Sequence, residues 1–544
     1  MLYGLLYNLK PMNQKLLALA MAVIPFASLL APLSQAQNTD NLKIASEVPQ
    51  LTDMQDLGHR DPGQAIDILV SLRFNREEEL NKLVEEQSDR TSPNYHHYLS
   101  SAEFADRFGP TVEQVNDVVA KLTTAGFQIT GVADNRMQIY ASAPSVTVET
   151  YFKTEIHNVN QGSDGERYTN VKPALLPAEL EATVDAVVLD NLIVNSRTPD
   201  EAEPQPLGSP YRGPKDGIGP GTIATAFDFP VQHDYDGTDH TAAVIIDSDV
   251  KDSDLTTYWK YFSINHTGTV SREAVLKGKV GKYTSGQKEA TLDTETITGL
   301  APGADVIIYI IAELNHPDRD AAINQIVSDN QAEVVNMSFG QTENIDKVFE
   351  KGLLAGNAKG ITFVASGGDY GSDHGKVLVP AAEPHVLAVG GTELTANQST
   401  GEWESEVAWP NSGGGVSKLF SLPSYQNGVP GLASKKKRNV PDIAFPAYND
   451  SRFVNGAWDT VGGTSWSSPT YVALQLEINQ YQGSRFGWVN PTIYMVFQAD
   501  GYKYTNGHFY DITKGSNGLY KAHTGYDNVT GIGSPIGWSL AKDF

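Results

Sequence analysis

Four short apolar runs constrain this chain more than any other feature. His240–Asp247 (HTAAVIID), Asp305–Ala312 (DVIIYIIA), Glu333–Ser338 (EVVNMS) and Ile361–Ala365 (ITFVA) show no polar/apolar alternation. Such runs read as strands buried on both faces, the pattern of a parallel sheet. The intervening stretches are long enough for helices that cover both faces. Residues 220–544 are therefore expected to form an α/β domain. Working residues in such sheets lie at the carboxyl ends of strands, and Asp247, Ser338 and Asp369 fall at or just past those ends.

Residues 45–195 have a different pattern. Ile66, Ile68, Val70, Leu72 and Phe74 alternate as a half-buried strand. Asn75–Glu86 reads as a charged amphipathic helix, and Thr111–Thr124 places Val112, Val115, Val119 and Leu122 on one side of a second. Strands are expected around Gln128–Val132, Met137–Ala141 and Thr154–Val159, giving a ferredoxin-like β-α-β-β-α-β order. Residues 196–219 are rich in proline, glycine and charge, and read as a linker of the kind where proteolysis concentrates. At the start, Lys15, an apolar stretch and Ser34-Gln35-Ala36 form a signal-peptide pattern over residues 1–36, with cleavage after Ala36. Pro25, Pro32 and the missing stop-transfer flank argue against an anchor, and no later segment is apolar enough to span a bilayer.

Composition narrows the chemistry. The 544 residues are 40% hydrophobic and 19% charged, consistent with folded domains. A net charge of −25 argues against nucleic acid and anionic membrane surfaces as partners. It suits work in acid, where many carboxylates are neutralised. Cysteine is absent, which excludes disulfides, thiolate zinc sites and thiol catalysis.

Gly463-Thr464-Ser465-Trp466-Ser467-Ser468-Pro469 runs on into apolar Tyr471–Leu474 and reads as a loop turning into a buried helix. Ser465 at the helix N-terminus is placed as a nucleophile would be, although an ordinary cap reads the same way. Pro469 fits early in a helix. A serine nucleophile needs a base, usually histidine. None of the 12 histidines lies in a His-Gly-Thr-His segment, and His374 and His385 read as solvated or structural. Glu289 and Asp293, four apart in a helical stretch, project from one face; buried they would share a proton, while on a surface they would merely repel. Asp369, among glycines after a strand, reads as a calcium ligand, a turn residue or an oxyanion donor, the last only when protonated.

In this order these pieces resemble the sedolisin family, the serine-carboxyl peptidases. The resemblance rests on Ser92–Ser100 with Glu103-Phe104-Ala105 and Phe108-Gly109-Pro110, on Glu289-x-x-x-Asp293 followed by Ala301-Pro302-Gly303-Ala304, and on Asp369. Val389–Thr392, Ser412–Ser417 and Gly-Thr-Ser465-x-x-x-Pro complete it. It implies a subtilisin-like parallel sheet with helices on both faces, preceded by a ferredoxin-like α+β activation prodomain. It implies Ser465 as nucleophile, Glu289 as general base, Asp293 orienting Glu289, and Asp369 in the oxyanion hole. The expected activity is that of a secreted, acid-active endopeptidase made as a zymogen, in the extracellular space or periplasm. A tripeptidyl-peptidase of the same family and an inactive peptide-binding homologue are the alternatives. Its partners are peptide substrates and its own prodomain as an intramolecular inhibitor, and it acts as a monomer. Asp247 and Phe339 stand where family members can have glutamate and tryptophan, which alters the surroundings of the acid pair. One Ca2+ per chain is implied at Asp511, Ile512, His523, Gly525 and Asp527, with His523 in place of a carbonyl-donating glycine; without the resemblance the segment reads as a turn-rich tail. Lys435-Lys436-Lys437-Arg438 reads as a solvated turn.

Overall fold

Alternation in the N-terminal part and continuous apolar runs in the C-terminal part build two different sheets. The computed structural model describes residues 43–51, 54–194, 211–372, 375–499, 502 and 507–544. The signal segment 1–36, linker residues 195–210 and His374 lie outside the described residues.

In the N-terminal part, strand β1 (Ala65–Leu72) is followed by helices α1 (Glu77–Gln87) and α2 (Val112–Thr124). Strands β2 (Gln128–Val132) and β3 (Gln138–Pro144), helix α3 (Ser145–Phe152) and strand β4 (Val184–Val188) complete it. The antiparallel sheet has the order β2-β3-β1-β4, which is ferredoxin-like. Leu72, Val118, Leu122 and Ile139 bury its helix-facing side. A strand does form at Ile156–Asn160, but it pairs with Gln55–His59 and Glu166–Asn170 in a separate three-stranded sheet. A helix over Ser101–Arg107, closed by a Ser100/Glu103 capping box, is an addition to the expected order.

The larger part is built on β5 (Thr241–Ile246), α4 (Asp252–Phe262), β6 (Val270–Ala274), α5 (Gln287–Leu300), β7 (Asp305–Ile310), α6 (His316–Asp329) and β8 (Val334–Met337). It continues through α7 (Lys347–Ala358), β9 (Thr362–Ser366), β10 (Leu387–Ala396), β11 (Trp403–Ala408) and β12 (Ile443–Pro446). The hairpin β13 (Asp450–Val454) and β14 (Ala457–Val461) leads into α8 (Thr464–Gln482). Among the described residues, eight strands form the sheet in the order β6-β7-β5-β8-β9-β10-β11, with β12 also paired to β10. Every pairing is parallel except β10 with β11. The four apolar runs are the central strands β5, β7, β8 and β9.

Helix α8 crosses β8, β9, β10 and β12 and packs along α5. Every residue from Thr464 to Asn479 is buried. The helix is buried on every side even though it carries Gln475, Glu477 and Asn479, so these polar groups must find partners within the core.

Two expectations are corrected. Pro469 lies inside α8, not in its first turn. The run at Lys435–Arg438 is only partly solvated: Arg438 is fully buried and pairs with Asp442 through Nη1–Oδ1 at 2.6 Å and Nη2–Oδ2 at 2.7 Å. The C-terminal end of the linker is also ordered, with bridges from Ile218 to Arg212 and Asp450.

Candidate active site

Helix α5 carries the acid pair in an unusual setting. All of its residues are buried except Lys288 and Gly299. Glu289 and Asp293 are 5% and 1% exposed, so the solvated-face reading is excluded. Burial, reinforced by the neighbouring Glu289 carboxylate, pushes the Asp293 carboxyl well above the ordinary range; Ser338 and Asn336 oppose this by hydrogen bonding. Two carboxyls in one dry site cannot both ionise freely, so the pair titrates as a unit.

The bond that positions Asp293 comes from the end of β8. Ser338 Oγ donates to Asp293 Oδ1 at 2.7 Å and lies 3.4 Å from the carbonyl oxygen of Ser465. That carbonyl would ordinarily accept from the N–H four residues on, but position 469 is proline and has none. Asn336 Nδ2 donates to Ser338 Oγ at 2.9 Å, and Ser468 Oγ donates to Asn336 Oδ1 at 2.7 Å. A relay of three polar side chains thus runs from the nucleophile helix to the acid pair.

Asp369 follows β9 through Gly367 and Gly368. Its Oδ1 accepts from the Thr464 N–H at 2.7 Å and from Thr464 Oγ1 at 2.8 Å. Gly368 N–H closes the ring by donating to Thr464 Oγ1 at 3.0 Å. Burial pushes the Asp369 carboxyl up to about 6 against the two Thr464 bonds. Asp369 is thereby fixed to the residue that precedes Ser465. Ser465 itself is the second residue of α8, where unpaired backbone N–H groups favour negative charge.

The structure therefore sets Glu289 beside Asp293, ties Asp293 through Ser338 to the Ser465 carbonyl, and ties Asp369 to Thr464, the residue before Ser465. Asp247 follows β5, and burial raises its carboxyl; it faces Gly286 at the start of α5, where a Cβ would strike its Oδ1. Phe339 is buried and offers no polar group, so the hydrogen bonds to Asp293 come from Ser338 and Asn336. Sequence reading placed Ser338 at a strand end and missed Asn336, Thr464 and Ser468. The available signal was Asn336, a polar residue in an otherwise apolar strand. His385 is structural: Nδ1 meets Asn357 Oδ1 at 2.8 Å and its ring packs on Trp488.

The tail residues converge as well. Asp527 is 1% exposed; its Oδ1 accepts from Val529 and Thr530 N–H, and its Oδ2 accepts from His523 N–H at 3.1 Å. Asp511 Oδ1 accepts from Gly525 N–H at 3.2 Å. Burial raises Asp511, and the charge of Asp527 raises it further. Two mutually repelling carboxylates suit a hard cation, although in this structure their oxygens accept from backbone N–H groups. Among the described residues no three acid or histidine side chains form a metal cluster, so carbonyls would have to complete the set. Gly525 has φ +86°, a conformation that favours glycine, whereas His523 has no such constraint.

The sequence and the fold resemble those of known proteins. Residues 52–192 match the Pro-kumamolisin activation domain, and residues 248–488 match the Subtilase family. Kumamolisin of Bacillus sp. (strain MN-32) is 29% identical, covering 91% of this chain and 94% of its own. Sedolisin of Pseudomonas sp. (strain 101) is 29% identical over 87% and 86%. The solved Pseudomonas sedolisin, titled a serine-carboxyl proteinase complexed with two molecules of pseudo-iodotyrostatin, superposes with a TM-score of 0.50. It is 28% identical, covering 60% of this chain and 97% of that one. Human tripeptidyl-peptidase 1 is 26% identical over 89% and 92%. Fold and similarities together define a serine-type peptidase on a subtilisin-like sheet, synthesised with an activation domain that serves as its own inhibitor. The chain is thus a serine-type peptidase of the sedolisin kind, with a Pro-kumamolisin activation domain ahead of a Subtilase-family domain.

Proposed function

We propose that this peptidase is an exported, acid-active endopeptidase in which Glu289 is the general base for Ser465. Glu289 takes the Ser465 Oγ proton as Oγ bonds to the scissile carbonyl carbon. Asp369, holding its own proton, donates to the developing oxyanion beside backbone N–H groups. Glu289 then protonates the amine as the C–N bond breaks, leaving an ester on Ser465. Water repeats the cycle and frees the acid. Asp293 orients Glu289 and holds the pair's shared proton.

The observation that carries this reading is the relay from Ser468 through Asn336 and Ser338 to Asp293, which ties the nucleophile helix to a buried acid pair. The acid optimum is supported by Asp369, which keeps its proton below about 6. The test is peptidase activity of Ser465→Ala and Glu289→Gln from about pH 3 to 7, the range over which the carboxyls titrate. Both should lose activity by at least about 1000-fold; wild-type rates in either would refute the mechanism and favour an inactive or differently built site. Peptides with blocked amino termini separate endopeptidase action, which the block leaves intact, from release of tripeptides, which it stops.

Export through residues 1–36 and one Ca2+ held by Asp511 and Asp527 with the carbonyls of Ile512, His523 and Gly525 belong to the same proposal, as does action as a monomer. Calcium would neutralise the two carboxylates and pin the tail. Chelation with EDTA should lower the thermal midpoint by several degrees, restored by Ca2+ and not by Mg2+. An unchanged midpoint would remove calcium from the account. Among the described residues no helix is long and apolar enough to cross a membrane.

A further inference from the structure

The hairpin that leads into α8 holds a cation close to the acid pair. Arg452 on β13 is fully buried. Its Nε donates to Asp459 Oδ1 at 3.0 Å and its Nη2 to Asp459 Oδ2 at 2.7 Å, across the hairpin register. Its third nitrogen, Nη1, donates to the carbonyl oxygen of Lys288 at 3.3 Å, the residue before Glu289. The hairpin is fastened at two further points. Phe453 N–H donates to Glu295 Oε2 on α5 at 3.0 Å. At the tip, Asn455 and Gly456 have φ +55° and +75°, the two-residue turn that a tight hairpin requires. Buried Asp254 of α4 caps the tip by accepting from Asn455 N–H at 2.7 Å. β14 then continues through Gly462 and Gly463 to Ser465. One hairpin therefore touches the base's helix and ends at the nucleophile.

The charges around Glu289 can be enumerated. Asp293 lies one turn on along α5, and Asp247 faces the start of that helix at Gly286. Arg452 and Asp459 come from the hairpin. Glu295, Asp450 and Asp254 lie farther along the same packed face. Of these groups Arg452 is the one cation, while Lys288 precedes Glu289 in the chain and Lys282 acts on Asp247. Burial works against the Arg452 charge, but Asp459, Glu289 and Glu295 outweigh it and hold the guanidinium protonated. That attraction is reciprocal: the cation favours the ionised form of the acids it faces. The Asp459 side chain is 29% exposed, so water screens part of the compensating charge.

We propose that Arg452 is a positioning residue for catalysis: its guanidinium clamps the first turn of α5 to the hairpin that delivers Ser465, and its field favours the carboxylate form of Glu289. The proposal rests on the reading of Glu289 as general base. A buried guanidinium suits both tasks, because it stays charged at any working pH and its planar fork binds a carboxylate at two points while a third donor remains.

The test is the pH profile of kcat/KM for the processed enzyme, with variants matured in trans by trace wild-type and Ser465→Ala matured identically as background. Arg452→Gln should lower kcat/KM at least about tenfold and move the acid limb up by about one pH unit, since loss of a nearby cation makes a carboxylate harder to ionise. Asp459→Asn, which leaves the cation uncompensated, should move the limb down. Arg452→Lys keeps the charge without the fork, so it should return the limb towards wild type while kcat stays low. A purely structural role would lower rates and melting temperatures without shifts of opposite sign. Unmoved limbs in both Arg452→Gln and Asp459→Asn would overturn the proposal, and Asp459→Asn alone decides it if Arg452→Gln does not fold. Glu289→Gln is run alongside: if it stays active the general-base reading fails, whereas its inactivity with unmoved limbs elsewhere fails only the role of Arg452.

Discussion

Thr464 lowers the pH at which Asp369 gives up its proton. Burial raises that carboxyl to about 6, and both Thr464 bonds work in the other direction. Thr464→Val removes the hydroxyl donor and keeps the backbone one. The carboxyl should then rise further, so Asp369 stays protonated to higher pH and the alkaline limb of kcat moves up. A hydrogen bond to a charged group is worth about 1.5–3 kcal/mol, which would correspond to roughly one pH unit or more. Rates measured from pH 4 to 8, about the span in which this carboxyl titrates, check the sign. A limb that moved down would show that Thr464 favours the protonated acid instead. Ser338 does for Asp293 what Thr464 does for Asp369: in both cases a hydroxyl beside the nucleophile helix accepts one bond and donates the next.

At the level of elements, the site depends on loops that touch backbone to backbone. Gly367 and Gly368 follow β9 and pass against Gly413, whose N–H donates to the Gly368 carbonyl at 2.7 Å. A Cβ at Gly413 would run into the carbonyl oxygen of Gly367. Gly413→Ala should therefore shift the loop that carries Asp369, lowering stability by about 1–3 kcal/mol and kcat by at least about tenfold. Differential scanning calorimetry and initial rates measure the two effects separately. Unchanged values for both would mean that the loops have room to part. Close approach accounts for Gly367, Gly413 and Gly414, whereas Gly368 and Gly415 have φ of +108° and +155°, conformations that favour glycine.

For the whole molecule, the prominent fact is how many acids are buried and how the two parts share them. Burial raises Asp320, Glu350 and Glu406 to about 7 and Asp369 to about 6. Their unfolded values lie near 4. Between those limits the folded chain binds more protons than the unfolded one, so stability falls as pH rises from about 4 to about 7. His316 adds the same sign. Burial opposes its charge, but Asp190 outweighs this and raises it to about 9, so its contribution is full below about 6.5 and lost as pH rises through 9. His96 and His385, pushed by burial to about 4, act oppositely as pH falls from about 6.5 to 4, but they are fewer. The urea midpoint of the Ser465→Ala precursor should be highest near pH 4–5 and lower at pH 8, contrary to the usual maximum between about 5 and 8; a midpoint that rose with pH would contradict this reading. The pair Asp190–His316 also joins the activation domain to the peptidase at 2.8 Å with both side chains buried. Breaking a buried pair from one side costs about 3–5 kcal/mol. Asp190→Asn should hasten conversion of the precursor, followed on gels at fixed pH; an unchanged rate would show that docking does not limit maturation.

Much of this was legible in the chain itself. Apolar length specifies β5, β7, β8 and β9, and alternation places β1, but the expected one-sided burial of β1 is corrected: Leu69 and Ser71 on its other face are buried too. The order of the Glu289, Asp293, Asp369 and Ser465 segments was enough to point to the family. Local pattern could not place Ile156–Asn160, whose two apolar residues, Ile156 and Val159, are three apart and fix no face. Nor could it show that Arg438 and Arg452 are buried: their partners Asp442 and Asp459 are near in sequence, but such a pair reads as exposed until the rest of the fold covers it. Burial of the acid pair, the raised carboxyl of Asp369, the Ser468–Asn336–Ser338 relay and the clamp from Arg452 to Lys288 were decided only by tertiary structure. Each depends on excluding water between segments far apart in sequence, and a pKa or a buried hydrogen bond is a property of that dry contact and not of the residues that make it.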